Sequence, residues 1–443
     1  APGQRHPPSA EGEPAVSHSH TPLPAAERDA VLKDIAGRLP VKPNPRRRRI
    51  WLLLMAIGVA TFVWLLLTEP HRAWGAWAIN CLYWLGIAQG AVVLACAIRL
   101  ANGRWGGPVM RMAEALSSYL PYGAAALAVL VIAGLGNYLP WAHHVEARQA
   151  PYLNLPFLYL RTLVGQALLL WLTRDLVRVS LRTDAHLLKN HVAAELKPDY
   201  QRLSDGWRGD QAEADWQRHR LSRRAPAIIV TYAIVYTLLA WDFVMSLTPE
   251  WVSTLFGWWF FMGAFLSGIA MTALLTTRLR ARYQLHRYIT PAHLWDVGKI
   301  AFGFSVFWVY QFWSQYLPIW YANLPEETGW VFLRFEAPWR TLAFTVFTFV
   351  FLLPFLGLMN MATKKSPFWL ALFSTIILVG MWMERHILVM PSLSPDHVWV
   401  GLPEIGVSFG FLGLFGWRVQ GFVSRYPLVK VADVLDGHGG HGH

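Results

Sequence analysis

"PRRRRIWLLLMAIGVATFVWLLLT" runs from Pro45 to Thr68 and decides the fold. From Ile50 onward it is an uncharged, apolar run of about the 20 residues that a helix needs to cross a hydrocarbon core some 30 Å thick. The four arginines before it resist transfer into lipid and mark its start as cytoplasmic. Because it sits behind a polar arm, the run reads as a signal anchor rather than a cleaved signal peptide.

Runs of this kind recur along the whole chain. They predict ten spans, at 50–68, 76–98, 112–139, 156–174, 225–247, 254–277, 297–321, 339–361, 368–389 and 405–423. The expected fold class is therefore an all-α polytopic membrane protein. Residues 1–49 read as a cytoplasmic polar arm, 50–425 as the membrane domain and 426–443 as a His- and Gly-rich cytoplasmic tail. Pro121 predicts a kink in the third span. Composition agrees: 54% of the 443 residues are hydrophobic and 15% are charged, against about 25% charged in a soluble domain. The 24 Trp suit a chain with many membrane interfaces.

Charge sorting sets the orientation. With the N-terminus inside, the arm, the inner connections and the C-terminal segment hold 32 of the 39 Lys and Arg, while the outer loops hold Arg72, Arg148 and Arg334. An error of one span would scramble that pattern, so both termini are expected in the cytoplasm. The net charge of +12 is thereby explained by topology and does not call for nucleic acid. The connection at 175–224 is the one large inner loop, and its mix of Arg, Asp, Glu and Trp suggests an amphipathic helix lying on the membrane or on a partner.

Ionisable groups inside a membrane are expensive and mark function by default. Here they gather near the outer face. Arg161 lies in span 4, Asp242 in span 5, Gln311 and Gln315 in span 7, and Glu384, Arg385 and His386 in span 9. His143 and His144 precede span 4 on the same side. Gln311 and Gln315 are four residues apart and share a helix face. Pro318 withdraws a backbone donor from the Ser314 carbonyl, which then needs protein or water beside it. These residues suit either a bound polar ligand or proton route, or a structural set in which Arg161 pairs with Asp242 and the glutamines bond neighbouring helices.

A second group lies at the inner face: Arg111 and Glu114 at the start of span 3, and His293, Asp296 and Lys299 at the start of span 7. His293 and Gln311 share a helix face, but Ile300, Phe304 and Trp308 lie between them, so span 7 alone provides no hydrogen-bonded track. Other helices would have to complete one. Tyr232, Tyr236, Thr341, Thr345 and Thr348 are candidates, each more often a packing residue.

Redox centres are tested by counting. Cys81 and Cys96 fall in one span, and no CxxC or CxxCH occurs, so iron–sulfur ligation and covalent haem attachment are not expected. None of the 16 His lies deep in a predicted span, which argues against a bis-histidine cytochrome b. The tail "DGHGGHGH" at 436–443 reads as a disordered tail rather than a metal site.

Two further patterns concern packing. "WAINCLYWLGIAQGA" in span 2 and "WVSTLFGWWFFMGAF" in span 6 share Trp at the start and seven residues on, which hints at two related four-helix units, spans 2–5 and 6–9. Gly406, Gly410, Gly413 and Gly416 line span 10, and Gly406-xxx-Gly410 predicts close helix packing, with another chain as the expected partner.

Three stretches carry a resemblance. "SQYLPIWYANLPEET" (314–328), "HLWDVGKIAFGF" (293–304) and "WDFVMSLTPEWVSTLFGWWFFMGAF" (241–265) look like segments of the large membrane subunits of bacterial alternative complex III, which are similar to the NrfD/PsrC membrane anchors. "WAHH" (141–144) followed by "YLNLPFLYLR" (152–161), the long loop after span 4 and the overall length resemble the F subunit of that complex more than its C subunit. The resemblance covers most of residues 50–425. It implies two four-helix bundles with a flanking helix at each end, in the bacterial cytoplasmic (inner) membrane. It implies a quinol:cytochrome c, or high-potential acceptor, oxidoreductase in which this chain holds no haem or cluster. Expected partners are a sister NrfD-like C subunit, a periplasmic iron–sulfur subunit, multihaem and monohaem cytochromes c, and small membrane subunits. Matched by position, the resemblance adds Glu327 to Arg161, Asp242, Gln315 and His386 outside, beside His293, Asp296 and Lys299 inside. It assigns quinol oxidation mainly to the sister subunit, and no His–Asp quinol pair maps onto His143 or His144.

The leading expectation is thus a scaffold subunit with a quinone pocket or proton path and no independent catalytic activity. A stand-alone secondary transporter also suits a repeat with buried ionisable groups, and a purely structural subunit is the third reading. Against transport, the sequence holds no pair of broken helices with charges at mid-membrane.

Overall fold

The computed structural model describes residues 24–39, 44–103, 106–143, 145 and 147–435. His144 and the tail at 436–443 lie outside them. The described residues form helices throughout, with no strand among them. In chain order these are α1 (Ala25–Gly37), α2 (Pro45–Thr68), α3 (Pro70–Leu100), α4 (Gly107–Tyr138), α5 (Leu155–Leu188), α6 (Lys197–Ser204), α7 (Asp210–Leu247), α8 (Phe256–Arg282), α9 (Pro291–Ala322), α10 (Pro325–Phe335), α11 (Arg340–Leu358), α12 (Pro367–Leu393), α13 (Leu402–Val423) and α14 (Val431–Leu435).

Among the described residues, eight helices are long and apolar enough to cross a membrane: α2, α3, α4, α5, α7, α8, α11 and α12. The predicted spans 7 and 10 also lie on single helices, α9 and α13. They fall outside that set because Trp, Tyr and Gln dilute α9 and because Glu404 and Arg418 lie in α13.

Several helices begin with chemistry that the sequence displays. Pro occupies the first turn of α2, α3, α9, α10, α12 and α13, where its missing N–H is not needed. Asn44 caps α2, its side chain accepting from the backbone N–H of Arg46 at 3.0 Å. Around Pro121, α4 departs from regular α-helix in a 3₁₀ turn at Ser117–Tyr119 and a wide π turn at Leu130–Gly134. A second π turn, Thr348–Leu352, interrupts α11, and the Ser305 hydroxyl donates to its Val350 carbonyl.

At the centre, α3 packs along α8, and these two look-alike helices are the most deeply buried of the eight. Around them α4, α7 and α12 lie against α3, and α7, α9 and α12 lie against α8. Helix α5 lies against α7, and α11 lies against α12.

Two expectations are corrected. Span 10 does not save its glycine face for another chain. Helix α13 packs along α2 of the same chain, and a Cβ on Gly58 would stand 2.2 Å from the Gly410 Cα. The α2 face that meets it carries its own glycine, so two small-residue seams fit backbone to backbone. The inner connection 175–224 is not an amphipathic helix lying flat. Helices α5 and α7 continue through most of it as an antiparallel pair. At 1.5 Å per residue, the 34 residues of α5 extend roughly 51 Å, well beyond a bilayer core of about 30 Å. The projecting parts are tied by Asp175, which pairs with Arg220 and Arg224 at 2.7 Å, and by Arg182 with Glu213 at 2.5 Å. Partly buried ionic contacts hold these two helices together there.

The arm also has structure. Helix α1 docks on this end, where Arg38 donates to the carbonyls of Tyr283 and Gln284 at 3.0 and 2.6 Å. Tyr288 donates to Asp34 at 2.6 Å.

Overpacking a filled helix seam typically costs about 1–3 kcal/mol, so Gly410→Leu should lower the thermal unfolding midpoint in detergent. Gly303→Leu, at a glycine with open space around it, should leave the midpoint unchanged. Equal losses in both variants would refute the seam.

Candidate functional site

The sequence placed its outer polar residues in one layer; the structure divides them into separate groups. The first joins α5 to α7. Arg161 Nε and Nη2 donate to the two carboxylate oxygens of Asp242 at 2.8 and 2.6 Å, a two-point contact that fixes both planes. Tyr152 donates to the same carboxylate at 3.0 Å, and Arg161 Nη1 donates to the Tyr152 carbonyl at 2.9 Å. The guanidinium lies 4.0 Å from the Tyr152 ring centre and 4.6 Å from that of Phe157. Every face of the pair is occupied, so it braces two helices and leaves no group to spare.

The second group is the opposite case. Helix α12 runs to Leu393, so Glu384, Arg385 and His386 are not at its outer end as expected. Glu384 lies nine residues inside, roughly 13 Å along the axis. It is fully buried, and neither carboxylate oxygen receives an aligned hydrogen bond from the described residues. Arg385 Nη1 stands 3.0 Å from it as an ion-pair partner. The rest of that guanidinium faces away, with Nη2 donating to the Phe260 carbonyl at 3.0 Å and the group 3.7 Å from the Phe260 ring centre.

Beside Glu384 is a cavity of about 170 Å³ between α8, α9, α10, α11 and α12. Trp259, Trp308 and Trp330 line it; the Trp308 indole N–H faces Glu384 without an aligned hydrogen bond, and those of Trp259 and Trp330 have no partner among the described residues. Phe344 and Phe347 form an exposed edge on α11, one turn from the π turn. Arg334 borders it too. This buried guanidinium has no carboxylate partner among the described residues and donates to the carbonyls of Trp330 and Leu388 at 2.9 and 2.7 Å and to the Ser392 hydroxyl at 3.1 Å. The cavity wall is apolar as it stands, so the carboxylate and the indole nitrogens lie just behind it. Buried polar groups are nearly always partnered, and a cluster of orphans around one cavity marks a site.

The remaining outer candidates are placed elsewhere. Gln315 accepts from the Ser253 hydroxyl at 3.1 Å, and Gln311 is buried with its carbonyl oxygen unpartnered. Pro318 points outward from a helix that continues past it to Ala322. Glu327 sits half-buried in the first turn of α10, where an acid suits the helix dipole. His143 Nε2 lies 2.8 Å from the Gly136 carbonyl at the surface. His386 Nδ1 lies 2.9 Å from the Trp382 carbonyl, and its Nε2 is buried without a partner.

The inner candidates also separate. Glu114 is the hub of a buried network. Arg99 and Arg111 both bind it, Ser180 donates to it at 2.8 Å, and Arg111 continues to Asp184. Asp184 in turn accepts from the Val431 backbone N–H at 3.0 Å, which holds the C-terminal segment against α5. His293 instead caps its own helix, with Nδ1 3.1 Å from the Thr290 N. Asp296 and Lys299 pair with each other at 2.8 Å near the surface. No hydrogen bond or ion pair among the described residues links the Glu114 network to these three, and no His, Cys, Asp and Glu cluster there could hold a metal.

The sequence reading missed Asp184, Arg99, Glu404 and the three cavity tryptophans. Glu404, near the start of α13, binds Arg72 at 2.6 Å. A charge near a helix start was a visible signal, but its partner lies 332 residues away. A comparison with protein-family models and with curated proteins found no match.

Two predictions follow from these networks. Removing one member of a buried pair costs about 3–5 kcal/mol, whereas replacing both by apolar groups of similar volume is often neutral. Asp242→Leu should therefore destabilise strongly and Arg161→Met/Asp242→Leu should recover most of the loss in thermal unfolding; an additive double variant would deny the brace. Burial beside Arg99 and Arg111 pushes the Lys430 amine down to about 8. Between that value and the ordinary 10.4 or so, the unfolded chain binds the extra proton, so stability rises with pH across this window. Lys430→Met should stabilise on the order of 1 kcal/mol at pH 7, with the advantage shrinking above pH 8. An advantage that grows with pH would reverse this assignment.

Proposed function

We propose that this chain is a haem-free integral membrane subunit of a respiratory quinol:cytochrome c, or high-potential acceptor, oxidoreductase of the alternative complex III type. In this reading it scaffolds the membrane arm and takes the ring of a quinone or quinol in the cavity beside Glu384. The observation that carries the proposal is the coincidence of a ring-sized apolar cavity with a buried carboxylate that has one ion-pair partner and no aligned hydrogen bond, beside indole N–H donors. A cavity of roughly 150 Å³ suffices to hold benzene, so about 170 Å³ suits one ring while its tail stays in lipid past Phe344 and Phe347. Side-chain rotation on binding, a common event, would bring the polar atoms through the wall. A quinol hydroxyl would then donate to Glu384, and a quinone carbonyl would accept from an indole N–H. If a quinol bound there passes its two electrons to the iron–sulfur subunit of the complex, Glu384 would take one of the two protons released and the other would leave to water at the outer face.

The same proposal holds ten crossings, with α9 and α13 added to the eight, and both termini in the cytoplasm of a bacterium. Exposed Tyr310, Trp313, Trp320 and Tyr321 on α9 suit a membrane interface. Two four-helix units, α3–α4–α5–α7 and α8–α9–α11–α12, are supported by matched packing. α3 on α4 corresponds to α8 on α9, α3 on α7 to α8 on α12, α3 on α12 to α8 on α7, and α5 on α7 to α11 on α12. Partners are the sister NrfD-like subunit, an iron–sulfur subunit and c-type cytochromes.

Gentle purification of a tagged chain, with a haem spectrum and subunit identification, tests the assignment; a chain that purifies alone, colourless and stable, sinks it in favour of transport. The pocket is tested by quenching of tryptophan fluorescence with a decyl-tailed quinone. Quenching should saturate in the native chain, and Glu384→Gln should weaken it roughly tenfold, the value of one hydrogen bond to a charged group. Unsaturable quenching, or none, removes the quinone pocket.

A further inference from the structure

Two large cavities at the arginine-rich end are not used by any of this. One, of about 530 Å³, lies between α2, α8 and α13, with Trp51, Met271, Leu275 and Phe415 in its wall. The other, of about 840 Å³, lies between α8 and α12, with Phe368, Ala371 and Leu372 in its wall. Arg47 and Arg282 border both, and Arg278 borders the second. Neither cavity has an acidic residue in its lining. Among the described residues, none of these three arginines makes a hydrogen bond through its side chain or a salt bridge with a carboxylate, whereas Arg99, Arg111, Arg182, Arg220 and Arg224 are each paired with one.

The space has a structural origin. The glycine seam draws α2 onto α13, and α8 is held in the core by α3, so a gap remains between α2 and α8 at this end. One wall of it is pinned by Trp51 Nε1, which donates to Gln420 Oε1 at 2.7 Å.

We infer that this double crevice is a binding site for an anionic phospholipid of the inner leaflet. The phosphate sits among Arg47, Arg278 and Arg282, and acyl chains fill the apolar crevices on either side. Arginine matches a phosphate with two parallel N–H donors, and basic pockets between membrane helices on the cytoplasmic side are suited to acidic headgroups. The apolar walls select a lipid over free phosphate, because a phosphate alone would leave both crevices empty. The absence of any acidic residue in the lining selects against a zwitterionic headgroup, whose cation would find no counter-charge. The inference rests on the membrane-spanning fold and not on membership of a respiratory complex.

The test is native mass spectrometry of the full chain, purified with whatever subunits accompany it and exchanged into detergent with equal phosphatidylglycerol and phosphatidylcholine. Retention of phosphatidylglycerol over phosphatidylcholine by about tenfold is expected from three guanidinium contacts. Arg47→Gln/Arg282→Gln should abolish the preference, and Arg218→Gln, an exposed arginine elsewhere at this end, should keep it. Leu372→Trp, which fills a crevice from an exposed position and keeps all charges, should lower retention as well. Equal retention of the two lipids, an unchanged preference in the double variant, or displacement by millimolar inorganic phosphate would each overturn the inference.

Discussion

The contact of α3 with α8 organises everything else. Lipid tails are as apolar as leucine, so two helices gain nothing by hiding hydrophobic surface from water there, and close van der Waals contact has to hold them. Gly90 and Gly268 provide it. A Cβ on Gly90 would stand 2.4 Å from the Ala264 carbonyl oxygen, and one on Gly268 would stand 2.3 Å from the Ala91 nitrogen. With backbones this close, the flanking side chains of both helices interlock, and α4, α7, α9 and α12 can wrap around a thin core. The α2–α13 seam repeats the device at the edge of the bundle, through Gly58 and Gly410.

Against that apolar background, buried charge has two forms. Where a carboxylate is saturated with donors, as at Asp242 and Glu114, it ties helices together and is poorly suited to exchange protons or ligands. Where it is not, as at Glu384, one ion-pair contact with Arg385 is all that offsets the desolvation cost. The same contrast holds for cations. Arg161 is enclosed by its carboxylate partner and two rings, while Arg334, at the margin of the aromatic cavity, is held by two carbonyls, the Ser392 hydroxyl and the Trp330 ring with no carboxylate among the described residues. The distinction between a brace and a site therefore lies in the completeness of the hydrogen bonds and not in burial.

The arginine-rich end shows how a membrane protein finishes a surface. Helices α5 and α7 leave the bilayer as an ion-paired hairpin, α1 docks beside α8, and the segment before α14 is latched to Asp184. Each of these attachments uses charge or backbone polarity, which is available in water and not in lipid. Arg47, Arg278 and Arg282 at the crevice border lie beside apolar walls instead of beside a carboxylate.

Sequence periodicity and charge located the long apolar helices and the arginine-rich side, because length and hydropathy act locally, but not α1, α6, α10 and α14 or the continuation of α5 and α7 beyond their apolar runs. They also picked out Arg161, Asp242, Glu114 and Glu384 as costly residues, since charge in an apolar run is visible without a fold. Which of the four are satisfied was decided by partners brought from 81 residues away for Asp242, and from 15 and 66 residues away for Glu114. No local pattern carries that information. The same limit applies to span 10, whose glycines announced close packing but not the helix they would meet, and to the tryptophans of the cavity, which are indistinguishable in sequence from interface anchors. Helix packing alone placed Trp259, Trp308 and Trp330 around one space and left Glu384 behind its wall, because a cavity is a property of several surfaces at once and belongs to none of the segments that form it.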